Sequence, residues 1–433
     1  LSKVTDIKII DKEIEGYTNF KIIESKEEEE AITLLSPDIA TCDDCLKDIS
    51  DVNNRRYRYP FTNCTNCGPR FSITKKVPYD RENTTMDVFQ MCSECREEYN
   101  DPLNRRFHAQ PNGCSKCGPR VYICNKEGNK IISNDPIKDI VKEIKNGKIV
   151  AVKGIGGFHL ACDAKNKEVI NELRKRKKRL RKPLAVMMRG IETVKKYCDV
   201  NELEERILLG NKKPILLLDK KRNSLLPKEL TNYQNGKLGV MLPYTPVHHI
   251  LFNEDIDILV MTSANISGEP MVYKNHEAIE KLKGIADFYL MNNRHIYIPI
   301  DDSVSRVILG KERVPKEPVL FVINHSSMLD SFILISSIPK PVGVVIADVP
   351  TWRNIPIVKH WIDITKSVYI NRENNREGMK SIIKASENIK KGQSMAIFPE
   401  GDLTWVKDPD ALISDFKPGA FKIAYKAKCP IVP

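Results

Sequence analysis

Cys42, Cys45, Cys64 and Cys67 fall in the spacing C-x2-C-x18-C-x2-C, and Cys92, Cys95, Cys114 and Cys117 repeat it. Two short knuckles of two thiolates each can close a tetrahedral shell on one zinc ion and leave no position for water, so each set predicts a structural metal site. The repeat reaches beyond sulfur. Asn54, Arg55, Arg56, Gly68, Pro69 and Arg70 recur 50 positions later as Asn104, Arg105, Arg106, Gly118, Pro119 and Arg120, so one small module is present twice. Cys124, Cys162, Cys198 and Cys429 lack partners at such spacing and read as small core residues.

A second group of residues has the chemistry to bind a nucleotide. Gly154, Gly156 and Gly157 follow a strand-like run, where backbone N–H groups can approach a phosphate or carbonyl. Eight of the nine residues from Arg174 to Lys182 are basic. A solvated helix face or a nucleic-acid patch is one reading of that run. The other is that Lys177 and Arg179 face a triphosphate and neutralise charge as pyrophosphate leaves. The run ending at Met261 is followed by TSANISGEP, which sets Thr262, Ser263 and Asn265 at the carboxyl end of a strand, where α/β sheets bind ligands. His159 reads equally as a satisfied core histidine or as a contact to a substrate carbonyl, whereas His248 and His249 beside an apolar run read as structural.

A third group lies near the C-terminus: Asn324, His325 and Asp330 in NHSSMLD, then Arg372, then Glu400 and Gly401 in FPEG, then PIVP. On a regular helix five residues turn two side chains about 140° apart, so His325 and Asp330 can meet only if the histidine sits in the turn before the helix. The strand-like run Val319 to Ile323 leads into such a turn.

The elements that must position these groups follow from periodicity. Helical patterns at Ile137–Lys145, Lys167–Arg179 and Glu192–Cys198 alternate with strand-like runs at Ile149–Val152, Leu184–Met188, Ile215–Leu218 and Ile256–Met261, which predicts a mixed α/β domain. A second α/β pattern runs through Val319–Ile323, Val342–Ala347, Val368–Ile370 and Met395–Phe398. Trp352, Trp361 and Trp405 all fall in it, which supports a boundary near Gly310. The cysteine-rich stretch is poor in long apolar runs and needs the metals as staples. Residues 1–35, with short alternating segments at Val4–Ile10 and Phe20–Ile23 and the acidic run Lys26–Glu30, are too few to form a core.

The expected organisation is an α/β multidomain chain: a remnant at 1–35, two four-cysteine zinc modules at 36–125, a nucleotide-binding domain at 130–312 and a further α/β domain at 313–433. No apolar run reaches the length of a membrane span and no signal peptide is evident, so a cytoplasmic address is expected. A start at Leu1 and a stop at Pro433 in an apolar segment read as truncations. The formal charge of +12 favours anionic partners without choosing among them.

The stretch PDIATCDDCLKDISDVNNRRYRYPFTNCTNCGPRFSI and its partner NRRFHAQPNGCSKCGPR resemble the paired zinc modules of the HypF family, the carbamoyltransferases of nickel-iron hydrogenase maturation. KRKKRLRKPLAVM, LPYTPVHHIL and TSANISGEP are similar to the YrdC-like domain of the same family. The resemblance implies two structural zinc ions, Mg-ATP and carbamate as substrates, carbamoyl adenylate as product, and a HypE-like partner. Lys177 and Arg179 become phosphate contacts, and Ser263 and Asn265 nucleotide contacts. Leu180 replaces the proline usual after the Lys-x-Arg, and residues 1–35 resemble only the tail of the family's acylphosphatase-like domain. Threonylcarbamoyl-adenylate synthases share the YrdC-like domain and are the nearest alternative activity. RNA binding by the zinc modules is another, although only Tyr57 and Tyr59 are placed to stack on bases.

The last segment resembles the PlsC family of lysophosphatidate acyltransferases. This implies acyl-CoA and lysophosphatidate as partners, His325 as base, Asp330 as its orienting acid, Arg372 at the acceptor phosphate and Glu400 with Gly401 shaping that site. Asp402, Leu403 and Thr404 stand where that family has Thr-Arg-Ser, which removes one basic contact. A peripheral position on the membrane is expected for this segment.

Overall fold

The computed structural model describes residues 35–179, 182–231, 237–265, 269–307, 310–325, 330–338, 340–348, 356–401 and 415–433, with residues 11, 13 and 16. The segments Val4–Ile10, Phe20–Ile23 and Lys26–Glu30, the residues Leu180, Trp352 and Trp405, and Asp402 to Thr404 lie outside the described residues. The chain divides into two compact units, one reaching Val307 and the other occupying the described residues from Gly310 to Pro433.

In the first unit each cysteine module opens with one short helix. Asp43–Ser50 starts directly after Cys42 and turns Cys45 inward, and Ser93–Asn100 does the same after Cys92 with Cys95. Acidic residues, Asp43 and Asp44 in one and Glu94 in the other, occupy the first turns, where the helix dipole favours them.

A mixed sheet follows. Its strands are β1 (Val121–Asn125), β2 (Lys130–Ile131), β3 (Val150–Lys153), β4 (Phe158–Asp163), β5 (Val186–Met188), β6 (Cys198–Asp199), β7 (Ile215–Lys220), β8 (Lys237–Met241), β9 (Ile258–Ser263), β10 (Phe288–Asn292) and β11 (Val304–Ser305). Among the described residues the order is β11-β7-β8-β5-β9-β4-β3-β10-β1-β2, with β6 on β7. Alternation puts Ile149 and Ala151 into one apolar cluster and Val150 and Val152 into another, so the sheet is covered on both faces. The helix Pro136–Lys145 covers one face through Ile137, Ile140, Val141 and Ile144. Asp135 caps it by accepting from the Lys138 N–H, and Pro136 sits in the first turn, where its missing donor costs nothing.

The helix expected over Lys167–Arg179 ends at Arg176. Asn166 caps its start, and Lys178 leaves helical geometry at φ +52. Lys177 continues the buried face of the helix four residues after Leu173, and it and Arg179 both reach the end of β9. The other helices and strands expected in this unit shift by no more than two residues from their expected bounds.

The second unit holds a parallel sheet of β12 (Leu320–Val322), β13 (Val342–Ala347), β14 (Val368–Ile370), β15 (Ser394–Ile397) and β16 (Ile431–Val432), in the order β14-β13-β15-β12-β16 among the described residues. Leu320 and Val322 pack on one side with Ile382 and Ile389, and Val319 and Phe321 on the other with Val344 and Phe398. Burial on both faces is why these strands read as unbroken apolar runs. No helix among the described residues is long and apolar enough to cross a membrane.

Candidate functional site

The four sulfurs of each module converge. Within each set the Sγ atoms all lie within 4.8 Å of one another. Cys42 to Cys64 is 3.6 Å and Cys64 to Cys67 is 3.8 Å; in the second module Cys92 to Cys114 and Cys114 to Cys117 are 3.8 Å and Cys95 to Cys117 is 3.6 Å. A disulfide needs about 2.05 Å, whereas a tetrahedron of zinc–sulfur bonds of about 2.3 Å has edges of about 3.8 Å. The residues therefore fit a four-coordinate thiophilic cation. Hydrogen bonds from its neighbours, Cys45 above all, lower the Cys42 thiol to about 6.

The two modules are crossed. Arg55 of the first donates to Cys95 Sγ of the second at 3.3 and 3.4 Å, and Arg105 of the second donates to Cys45 Sγ of the first at 3.1 Å. Arg56 Nε donates to the Gly113 carbonyl and Arg106 Nε to the Asn63 carbonyl, each at 3.1 Å. Arg56 pairs with Glu98, and Arg106 with Asp48. These are the same contacts displaced by the 50-residue repeat, so the modules form one pseudo-twofold unit. Arg55, Arg56, Arg105 and Arg106 are thus committed to sulfur, carboxylate and backbone.

At the end of β9 the Lys177 ammonium donates to the Ser263 carbonyl and, at 2.9 Å, to Asn265 Oδ1. Ser263 Oγ lies 3.1 Å from the same amide oxygen, and Arg179 Nη1 donates to Thr262 Oγ1 at 3.2 Å. All four binding residues expected here are thus brought together. Lys177 is 1% exposed, and burial, reinforced by Arg179, pushes its pKa down to about 7. The solvated-face reading of the basic run is corrected for part of it. Arg174 is buried and ties the loop through the Glu229, Arg179 and Lys182 carbonyls, while Lys175 and Lys178 stay exposed.

The glycines of the Gly154–Gly157 turn have a packing role. Gly154 N donates to Gly157 O at 2.8 Å, Ile300 N donates to Gly156 O at 3.1 Å, and a Cβ on Gly156 would overlap the Ile300 carbonyl. His159 stands opposite Ser263 in the β4–β9 register, buried, with Nε2 2.6 Å from Asp302 Oδ2. Asp302 carried no sequence signal. His248 is fully buried, and burial, aided by His159, lowers its pKa to about 3.

In the second unit β12 runs into His325, and the helix Asp330–Ser337 begins at the aspartate, so the histidine precedes the helix as the spacing required. His325 Nδ1 lies 3.1 Å from Asp330 Oδ2. The ring stacks on Phe398 with centroids 4.2 Å apart. Glu400 is fully buried and accepts from the His325 backbone N–H at 2.9 Å. Arg372 and Gly401 line a cavity of about 840 Å³ that His325 also borders.

Comparison with known proteins matches these parts separately. Residues 41–74 and 91–124 match the HypF finger, residues 142–355 the Sua5/YciO/YrdC family described as telomere recombination, and residues 306–433 the acyltransferase family. The carbamoyltransferase HypF of Synechocystis sp. is 46% identical over 299 residues, 69% of this chain and 39% of that protein. A crystal structure of full-length HypF in the phosphate- and nucleotide-bound form superimposes with TM-score 0.64 and 52% identity, over 68% of this chain and 38% of that one. A probable 1-acyl-sn-glycerol-3-phosphate acyltransferase of Mycoplasma pneumoniae is 32% identical over 187 residues, 41% of this chain and 64% of that protein. The chain spans about two fifths of the length of the HypF relatives. With the crossed four-cysteine modules and the Lys177 cluster in one unit and the His325–Asp330 pair in the other, the chain is a HypF-type carbamoyltransferase region, zinc modules followed by a YrdC-like domain, fused to a partial PlsC-like acyltransferase segment.

Proposed function

We propose that the first unit activates carbamate with ATP, forming carbamoyl adenylate and releasing pyrophosphate. The observation that carries this reading is the buried Lys177 ammonium, held on Ser263 and Asn265 with Arg179 beside it at the end of β9. In a water-poor site such a cation interacts strongly with phosphate oxygens and does not have to reorganise as charge develops on the leaving pyrophosphate. Ser263 and Asn265 orient the ammonium and offer hydrogen bonds to the nucleotide, and magnesium would accompany the triphosphate. The four-cysteine sites hold zinc, which supplies a cross-link between knuckles and no chemistry. In the full-length relatives' setting the carbamoyl group would pass to a HypE-like partner, and the unit works in the cytoplasm. The test is carbamate-dependent exchange of labelled pyrophosphate into ATP. Exchange that survives Lys177→Ala, or that requires threonine with carbamate, would remove the assignment.

A second reading applies to the second unit, favoured by the 3.1 Å contact between His325 and Asp330. With Nδ1–H donated to Asp330, Nε2 can take the proton of an acceptor hydroxyl as it attacks an acyl thioester, with the thiol as leaving group. Lysophosphatidate and acyl-CoA are the proposed partners, met at the membrane surface. The test is thiol release from acyl-CoA that depends on lysophosphatidate.

A further inference from the structure

Resting on the acyl-transfer reading of the second unit, we infer that Lys417, seated over Gly401, is the cation that joins Arg372 in holding the phosphomonoester of the acceptor. The cavity beside His325 is lined by apolar residues such as Val344, Ile346 and Ile382, and its charged lining residues among those described are Arg372, Lys417 and Lys422, with no carboxylate. Such a lining suits an amphiphile with an anionic head. A phosphomonoester carries close to two negative charges at neutral pH. One guanidinium leaves half of that uncompensated in a confined space, where unpaired charge is costly. Asp402, Leu403 and Thr404, the residues that follow Gly401, bring no cation.

Lys417 is tied to the base by a short chain of contacts. Its backbone N–H donates to the Pro399 carbonyl at 2.8 Å. Gly401 has φ +75, and a Cβ there would come within 3.0 Å of Lys417 Cε and 3.1 Å of its Nζ. The ammonium therefore lies against the Pro-Glu-Gly turn because position 401 has no side chain. The middle residue of that turn, Glu400, accepts from the His325 N–H at 2.9 Å. Base and cation are thus referenced to one turn.

Two phosphate-bearing molecules are relevant to acyl transfer, the acceptor and coenzyme A. In a glycerol phosphate the reacting hydroxyl is on the carbon next to the one carrying the phosphate, so base and cation must be neighbours. In coenzyme A the pantetheine arm separates the thioester from every phosphate. The shared turn therefore assigns Lys417 to the acceptor.

The experiment uses the whole chain and monomeric short-chain ligands, and measures the Kd of 1-acylglycerol 3-phosphate, of 1-acylglycerol and of coenzyme A for the parent, Lys417→Ala and Lys417→Arg. Loss of one charge-assisted contact should weaken 1-acylglycerol 3-phosphate about 10- to 100-fold in Lys417→Ala. The other two ligands should be unchanged, and Lys417→Arg should recover most of the loss. Equal affinity of Lys417→Ala and parent for the phosphorylated ligand would overturn the inference while leaving the acyl-transfer reading intact. So would a loss shared with 1-acylglycerol, which marks a damaged cavity, or a loss confined to coenzyme A. A parent that does not distinguish the phosphorylated ligand from 1-acylglycerol would remove both readings together.

Discussion

Arg105 donates to Cys45 Sγ at 3.1 Å across the boundary between the two cysteine modules, and Arg55 returns the contact to Cys95. A dication bound by four thiolates keeps a net charge near −2, and a guanidinium on one sulfur stabilises it without occupying a ligand position. Because the contacts cross, each metal site is finished by the other module's chain.

The first prediction follows from that crossing. Metal analysis of the folded chain should find two zinc ions. Arg105→Ala should weaken the metal at Cys42, Cys45, Cys64 and Cys67, not the one in its own module, by about 10- to 100-fold, the usual cost of losing a group that supports a ligand. Competition with a chromophoric chelator on Arg105→Ala and Arg55→Ala reads the two sites separately. Weakening of each arginine's own module instead would contradict the crossed arrangement.

The second prediction concerns Lys177. Its pKa of about 7 in the free protein lies well below the usual lysine value, so near pH 8 the amine is largely neutral. A bound triphosphate restores the charge, so ATP binding should take up a proton at pH 8 and weaken as pH rises further. Calorimetry in buffers of different ionisation enthalpy measures the uptake. Lys177→Ala should lower ATP affinity by about 1.5 to 3 kcal/mol and abolish the uptake. Uptake that persists in the variant would assign the proton to another group.

The local pattern of residues made much of this legible and left specific parts out. The two sets of four cysteines were readable because a four-thiolate metal shell would fix ligand type and spacing, and His325 with Asp330 because a five-residue gap admits one arrangement at a helix start. The basic run was harder. Eight like charges among nine residues hide which of them are buried, and the left-handed break at Lys178 has no mark in a Lys-rich stretch. The NRR triplets were visible as a repeat, but their partners are sulfurs 40 and 60 positions away, so their purpose depends on how the modules dock. Asp302 beside His159, and Lys417 beside Gly401, are contacts made by chain reversal and carry no periodic signal. Glu400 was expected to help shape the phosphate site, and its contact with the His325 N–H, which follows from the pairing of β12 with β15, carries no periodic signal.

The third prediction is a pH dependence of stability in the first unit. His248 is fully buried and its pKa is about 3, against about 6.5 for an exposed histidine. Between these values the unfolded chain binds a proton that the folded chain does not, so stability is full above pH 6.5 and falls as pH drops toward 3. Linkage gives a loss of about 2 kcal/mol by pH 5 from this residue. Denaturant unfolding of the parent and of His248→Phe at pH 7 and 5 should show a steeper loss in the parent. Parallel losses would place the acid sensitivity elsewhere.

The last prediction separates base from positioner in the second unit. His325→Ala should erase lysophosphatidate-dependent thiol release, since a positioned acid-base group contributes about 10² to 10⁴ in rate. Glu400→Gln keeps an oxygen that can accept from the His325 N–H, so it should retain much of the activity. Glu400→Ala leaves that buried donor without its partner, a cost of about 1 to 3 kcal/mol, and loosens the turn that carries the imidazole. The loss in Glu400→Ala should therefore appear in kcat and in a lowered unfolding midpoint together. If Glu400 instead touched the acceptor phosphate, both substitutions would raise or lower KM for lysophosphatidate while leaving stability alone. Measuring kcat, KM and unfolding midpoint for the three variants decides between a carboxylate that holds the base and one that meets the substrate.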